Sequence, residues 1–150
     1  MSLKETLQSD LTTAMKARDE LTAATLRMAL TAITNEEVSG KSARVLTDEE
    51  VIIVLGREAK KRREAAEAFE QGNRGDRAER ERQEGTVIER YLPQQLSAEE
   101  LASLIAATIT EVGADSPQQM GQVMKALQPK VAGRADGAAV AAAVRSALSA

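Results

Sequence analysis

A chain of 150 residues with a net charge of −3 can build one large core or two small ones, and it excludes adhesion to nucleic acid over its whole surface. It has no cysteine and no histidine, which removes disulfides, thiol nucleophiles, cysteine-bound zinc and the commonest general base. No apolar run approaches ~18 residues, so no bilayer-spanning helix is expected.

Alanine, leucine, glutamate and arginine dominate, and Phe69 and Tyr91 are the only aromatic residues. This composition predicts an all-α fold. The polar, amphipathic start of the chain lacks an apolar signal core, which makes the cytoplasm the expected location.

In chain order, Ser2-x-x-Glu5 is a capping box opening a first helix, with Leu3, Leu7, Leu11, Ala14 and Met15 on one face. Asp19-Glu20 interrupts it before a second helix whose apolar surface is wide: Leu21, Leu26, Met28, Leu30, Ala32 and Ile33. Asn35 to Leu46 is read as a polar loop. Thr47-x-x-Glu50 is a second capping box and opens a long helix with a stripe at Val51, Ile52, Leu55 and Ala59. That stripe thins where Lys60-Lys61-Arg62-Arg63 occurs.

Gly72-Asn73-Arg74-Gly75 ends the long helix with residues that tolerate positive φ. Asp76 is then placed to cap a fourth helix. The first half of this helix carries almost no apolar surface, so it is expected to project or stay mobile; Val87, Ile88, Tyr91 and Leu92 form its burying face.

Pro93 to Leu96 is the expected boundary, dividing an N-terminal helical domain of about four helices (1–93) from a C-terminal three-helix unit (97–150). Ser97-x-x-Glu100 starts a helix through Leu101, Leu104, Ile105, Thr108, Ile109 and Val112, with Gly113 as its stop. Ser116-Pro117-Gln118-Gln119 starts the next, with Pro117 at the first helical position, where its missing N–H is harmless. Pro129 is expected to end or kink this helix, leaving it to run through Gln128. Gly121 is read as a close helix crossing and Met124 as core. Gly133 and Gly137 bracket a tight turn in which Asp136 can cap the last, alanine-rich helix.

Charge is unevenly placed in this second half. Glu99, Glu100, Glu111 and Asp115 are the charged residues from 94 to 115, whereas Lys125, Lys130, Arg134 and Arg145 face only Asp136 from 116 to 150. The turn could present backbone N–H groups to a phosphate with Arg134 as a clamp, or it could be a helix–turn–helix corner. Lys125 and Lys130 could contact a nucleic-acid backbone or simply be solvated. The run Lys60, Lys61, Arg62 and Arg63 is a further basic candidate, although i,i+4 pairs such as Lys60–Glu64 and Arg63–Glu67 account for most of it. No nucleophile and base stand at a readable spacing, and no carboxylates cluster on an apolar helix face. Neither a metal nor another cofactor is expected, and catalysis by this chain alone is not.

Four blocks of the sequence resemble a known family: Tyr91-Leu92-Pro93 with Gln94-Gln95-Leu96-Ser97, Gly121-Gln122-Val123-Met124-Lys125, Pro129-Lys130-Val131, and Gly133-Arg134-Ala135-Asp136-Gly137. Together they resemble the GatB/YqeY family, small helical proteins similar to the tail domain of the B subunit of the tRNA-dependent amidotransferase. The resemblance to stand-alone members spans the chain, and that to the tail covers about its last third. It implies a tRNA-associated accessory module with Lys125, Lys130, Arg134 and Arg145 as RNA contacts. It also implies a protein partner such as a synthetase or amidotransferase, and a family link to glutamine-dependent carbon–nitrogen ligation. A helical adaptor that docks a protein through its third and fourth helices is the alternative. The lack of rings for base stacking fits recognition of RNA shape and backbone.

Overall fold

A computed structural model describes residues 1–149, and among these there are seven α-helices and no strand. The chain divides into two compact units, one from Met1 to Leu92 and one from Pro93 onward. The all-α fold class is what the structure shows.

The first unit holds α1 (Leu3–Lys16), α2 (Glu20–Glu37), α3 (Asp48–Gln71) and α4 (Gly75–Glu89). Ser2 and Thr47 each close a capping box, with Glu5 and Glu50 reaching back to the cap backbone. Two orphan donors are satisfied at each helix start, which fixes where the helix begins. Leu7, Leu26, Ile33, Val51, Leu55, Val87 and Ile88 meet in the core. Met15, at the end of the α1 stripe, stays largely exposed. Arg18 and Asn73 take the left-handed conformation (φ 58° each) and turn the chain after α1 and α3.

Three expectations change here. The second helix runs two residues beyond Asn35, to Glu37, because the Glu37 carboxylate is held by Lys4 Nζ (2.7 Å) and accepts from Leu46 N–H (3.3 Å). Asp76 is not a cap: α4 begins at Gly75, and Asp76 lies in its first turn, paired with Arg74. The N-terminal half of α4 does not project. Ala78 is fully buried, a Cβ on Gly85 would lie 3.5 Å from that of Arg62, and charged side chains bridge α4 to its neighbours. Arg82 reaches Glu70, Arg62 reaches Glu81, and the Arg80 guanidinium forks onto both oxygens of Glu20 at 3.0 Å. Small residues permit the approach and ion pairs replace the missing apolar stripe.

The second unit holds α5 (Ala98–Val112), a single 3-10 turn (Pro117–Gln119), α6 (Met120–Val131) and α7 (Gly137–Ser149). Ser97 caps α5 with Glu100, and Gly113 (φ 69°) ends it in the left-handed conformation. Ile105, Val123, Leu127, Val131, Val140, Val144 and Leu148 form the core, with Met124 packed against it. The second helix of this unit does not stop at Gln128; α6 continues through Pro129 to Val131. Proline near a helix end forfeits one bond of the last turn, and burial of Val131 offsets the loss. Gly121 is no crossing point either, since it is exposed and a Cβ there would meet nothing within 4 Å.

Candidate nucleic-acid interface

The C-terminal basic residues divide according to what their helices do with them. On α6 the buried positions Val123, Leu127 and Val131 follow helical spacing. Lys125 lies on the side of α6 away from these residues; it is exposed and makes no hydrogen bond or ion pair within the described residues. Lys130 stands five positions further on, about 140° around the axis. It turns toward α5, where Nζ meets Glu111 Oε2 at 2.8 Å and Thr108 Oγ1 at 3.2 Å. The two lysines therefore occupy different faces of one helix.

Arg134 belongs to the turn between α6 and α7. Its Nε donates to the carbonyl of Gln94 (3.0 Å), its own carbonyl accepts from Leu96 N–H (2.9 Å), and the neighbouring Gly133 carbonyl accepts from the Gln95 amide (2.8 Å). The turn thus holds the segment that leads into α5. Gly133, at φ 72°, makes this possible by taking a left-handed conformation that would strain a residue with a side chain. Asp136 immediately precedes α7 and its carbonyl accepts from Val140 N–H, as a residue at the N-cap position does. Arg145 lies one residue past buried Val144, exposed on α7 and without an ion-pair partner in the described residues.

The run Lys60 to Arg63 is drawn into the first unit's own electrostatics. Lys60 lies 4.0 Å from Glu64, Lys61 3.0 Å from Glu58 and Arg63 3.9 Å from Glu89. Arg62 is the centre of a partly buried cluster, with Glu58 at 3.5 Å, Glu81 at 3.4 Å and Glu84 at 3.9 Å. Its Nε is buried with no hydrogen bond, so the Glu84 contact compensates charge without satisfying the donor. The spacing suggested pairing within α3. The Lys60–Glu64 pair is present, Arg63 reaches Glu89 of α4 instead of Glu67, and Arg62 adds Glu81 and Glu84 of α4, a reach between helices that no single-helix pattern reveals.

No group of three or more metal-binding side chains occurs among the described residues. None of their helices is long and apolar enough to cross a membrane.

A family description, Yqey-like protein, matches residues 4–148. The chain belongs to the Yqey-like family. It is 31% identical over 134 residues to a Clavispora lusitaniae protein named "Altered inheritance of mitochondria protein 41, mitochondrial", covering 87% of this chain and 77% of that one. It is 34% identical over 97 residues to an uncharacterized protein of Schizosaccharomyces pombe, covering 64% of this chain and 76% of that one.

Proposed function

We propose that this Yqey-like protein is a non-catalytic, tRNA-associated accessory module that contacts the RNA backbone through its C-terminal unit. The observation that carries the reading is the pair Lys125 and Arg145, exposed cations with no side-chain partner among the described residues. Lys130 joins them by exchange: its partner Glu111 is itself exposed, and a solvated ion pair holds so weakly that a phosphate can replace it. Arg134 spends Nε on the Gln94 carbonyl and keeps its terminal nitrogens for a phosphate. With Phe69 and Tyr91 as its only rings, both outside this unit, the surface suits a folded RNA backbone better than unstacked bases.

The chemistry of amide transfer would then reside in a protein partner of the synthetase or amidotransferase kind. The encounter is assigned to the cytoplasm, whereas the Clavispora lusitaniae relative is named for mitochondria. Salt-titrated binding of tRNA to the full chain tests the reading. With about three phosphates neutralised, log K should fall against log salt with a slope of roughly −2 to −3, and Lys125→Ala with Arg145→Ala should flatten it by roughly 1.5. An unchanged slope and affinity in that variant removes the assigned surface. A protein partner that stays bound to the variant at high salt would favour the adaptor reading instead.

A further inference from the structure

Within the first unit, α2 and α3 leave an open groove of about 590 Å³ between them. On α2 its wall is a helical stripe that includes Arg27, Met28, Thr31, Ala32, Asn35 and Glu36. On α3 the stripe is Val54, Arg57, Glu58, Lys61 and Arg62. The spacings of three and four residues place each set on one side of its helix. This is the level at which the apolar stripe of α3 thins in the sequence, so the helices no longer close on each other through aliphatic contact. Ala32 is too small to fill the space left.

The groove is cationic at its rim and apolar at its floor. Arg27 is exposed and pairs with no residue among those described. Arg57 is more than half exposed and lies a loose 3.7 Å from Glu36. Lys61 is two-thirds exposed, with Glu58 at 3.0 Å. Arg62 is differently committed, held from below by Glu58, Glu81 and Glu84. Arg27 and Arg57 are thus available at little cost, because exposed pairs such as Arg57–Glu36 are worth almost nothing when a stronger anion arrives, and Lys61 can turn to a third oxygen because Arg62 also compensates the buried Glu58. Met28, Ala32 and Val54 form the apolar floor, and Thr31 and Asn35 add hydroxyl and amide groups. The volume lies in the range of small-molecule sites.

We infer that this groove binds a phosphoryl group carried on a short carbon or sugar skeleton, with Arg27, Arg57 and Lys61 as its ligands. Two guanidinium groups and one ammonium suit the charge of a phosphate ester, and each guanidinium can offer a planar fork to two of its oxygens. A ring-stacking ligand fits less well, since no aromatic side chain lines the groove. The inference concerns the first unit alone and stands or falls separately from the RNA reading of the second.

Calorimetric titration of the full chain with inorganic pyrophosphate, at constant ionic strength, provides the test. Saturable one-site binding is expected, and Arg27→Gln with Arg57→Gln should weaken it about tenfold or more. Both arginines are exposed, so the variant should keep the wild-type helical signal and melting profile. Arg57→Lys retains the charge and should restore part of the affinity when Arg27 is intact. Lys16→Gln, outside the groove, should leave binding unchanged. Competition by tRNA that Arg27→Gln with Arg57→Gln abolishes would place RNA in the groove and overturn the inference, and its failure supports a small phosphate ester. The inference is overturned by non-saturable binding, by a double variant that binds as tightly as wild type, or by an equal loss in Lys16→Gln. Lys125→Ala with Arg145→Ala should not affect pyrophosphate binding, which separates a failure here from a failure of the tRNA reading.

Discussion

In the first unit Arg62, Arg80 and Arg82 are gripped by carboxylates from other helices, whereas in the second Lys125 and Arg145 are exposed with no such grip among the described residues. The difference follows from what each unit has to pack. The α3–α4 pair runs past the end of its apolar stripe, and charged bridges hold the remainder together. The alanine-rich helices of the second unit close on Val123, Leu127, Val140 and Val144, with the exposed Lys130–Glu111 pair as the charged bridge between them among the described residues. A basic residue in the first unit is therefore mostly a structural part, whereas Lys125 and Arg145 of the second make no side-chain hydrogen bond or ion pair among the described residues and Lys130 and Arg134 make few. Counting basic residues along the sequence does not separate the two cases; the partners do.

That contrast can be broken most forcefully at Arg62. Arg62→Ala leaves Glu81 without its cation in a partly buried site, while Glu58 keeps Lys61 and Glu84 keeps Arg80, and the expected destabilisation is about 3 kcal/mol, measured as a shift in the urea midpoint. Tyr91 makes the measurement specific, because it is the one tyrosine, lies in the first unit and donates from its hydroxyl to Asp10 at 2.6 Å. Loss of its environment reports that unit, while the far-ultraviolet helical signal reports both. If Arg62→Ala costs no more than a surface substitution, the bridges are ornaments and the contrast fails. Leu127→Ala is the counterpart in the second unit. It should cost a similar ~3 kcal/mol through cavity formation and leave the Tyr91 transition in place.

Acid should act on the first unit through several carboxyls held below their ordinary values. A hydrogen bond from Arg80 lowers Glu20 and one from Lys4 lowers Glu37; for Glu50 the Thr47 backbone is the main cause, followed by Arg44. A depressed folded-state pKa contributes stability above the unfolded value and loses it as pH falls through the folded one. The Tyr91-reported urea midpoint should therefore fall as pH drops below the ordinary glutamate value of 4.5. A midpoint that stays level or rises through that range contradicts the assignment. Smaller still, Ser97→Ala should remove about 1 kcal/mol by uncapping α5, read from the thermal transition. Lys130→Ala should change stability by less than about 0.5 kcal/mol, because its pair with Glu111 is solvent-exposed.

Much of this architecture is legible in local sequence signals. The capping boxes at Ser2, Thr47 and Ser97, the left-handed Asn73 and the stop at Gly113 are all realised, because each is decided within four residues of chain. Local reasoning goes wrong where tertiary packing decides. A helix poor in apolar residues was expected to project, yet α4 is bound to α3 and α2 by arginine bridges and by the small Ala78 and Gly85. Pro129 is expected to end or kink α6 after Gln128, yet the helix runs on to the buried Val131. The same blindness applies to the candidate surface: spacing alone could not show that Lys130 meets Glu111 or that Arg134 holds Gln94. The α2–α3 groove leaves a faint trace, the thinning of the α3 stripe, and its α2 wall leaves none.

The account turns on which cations the fold has already used, and a matched pair of double variants tests this most directly. In salt-titrated tRNA binding, Lys125→Ala with Arg145→Ala should weaken affinity several-fold and flatten the salt slope. Arg63→Ala with Arg82→Ala removes the same charge from the first unit and should alter both far less. Equal losses in the two variants, or a larger loss in the second, would contradict it.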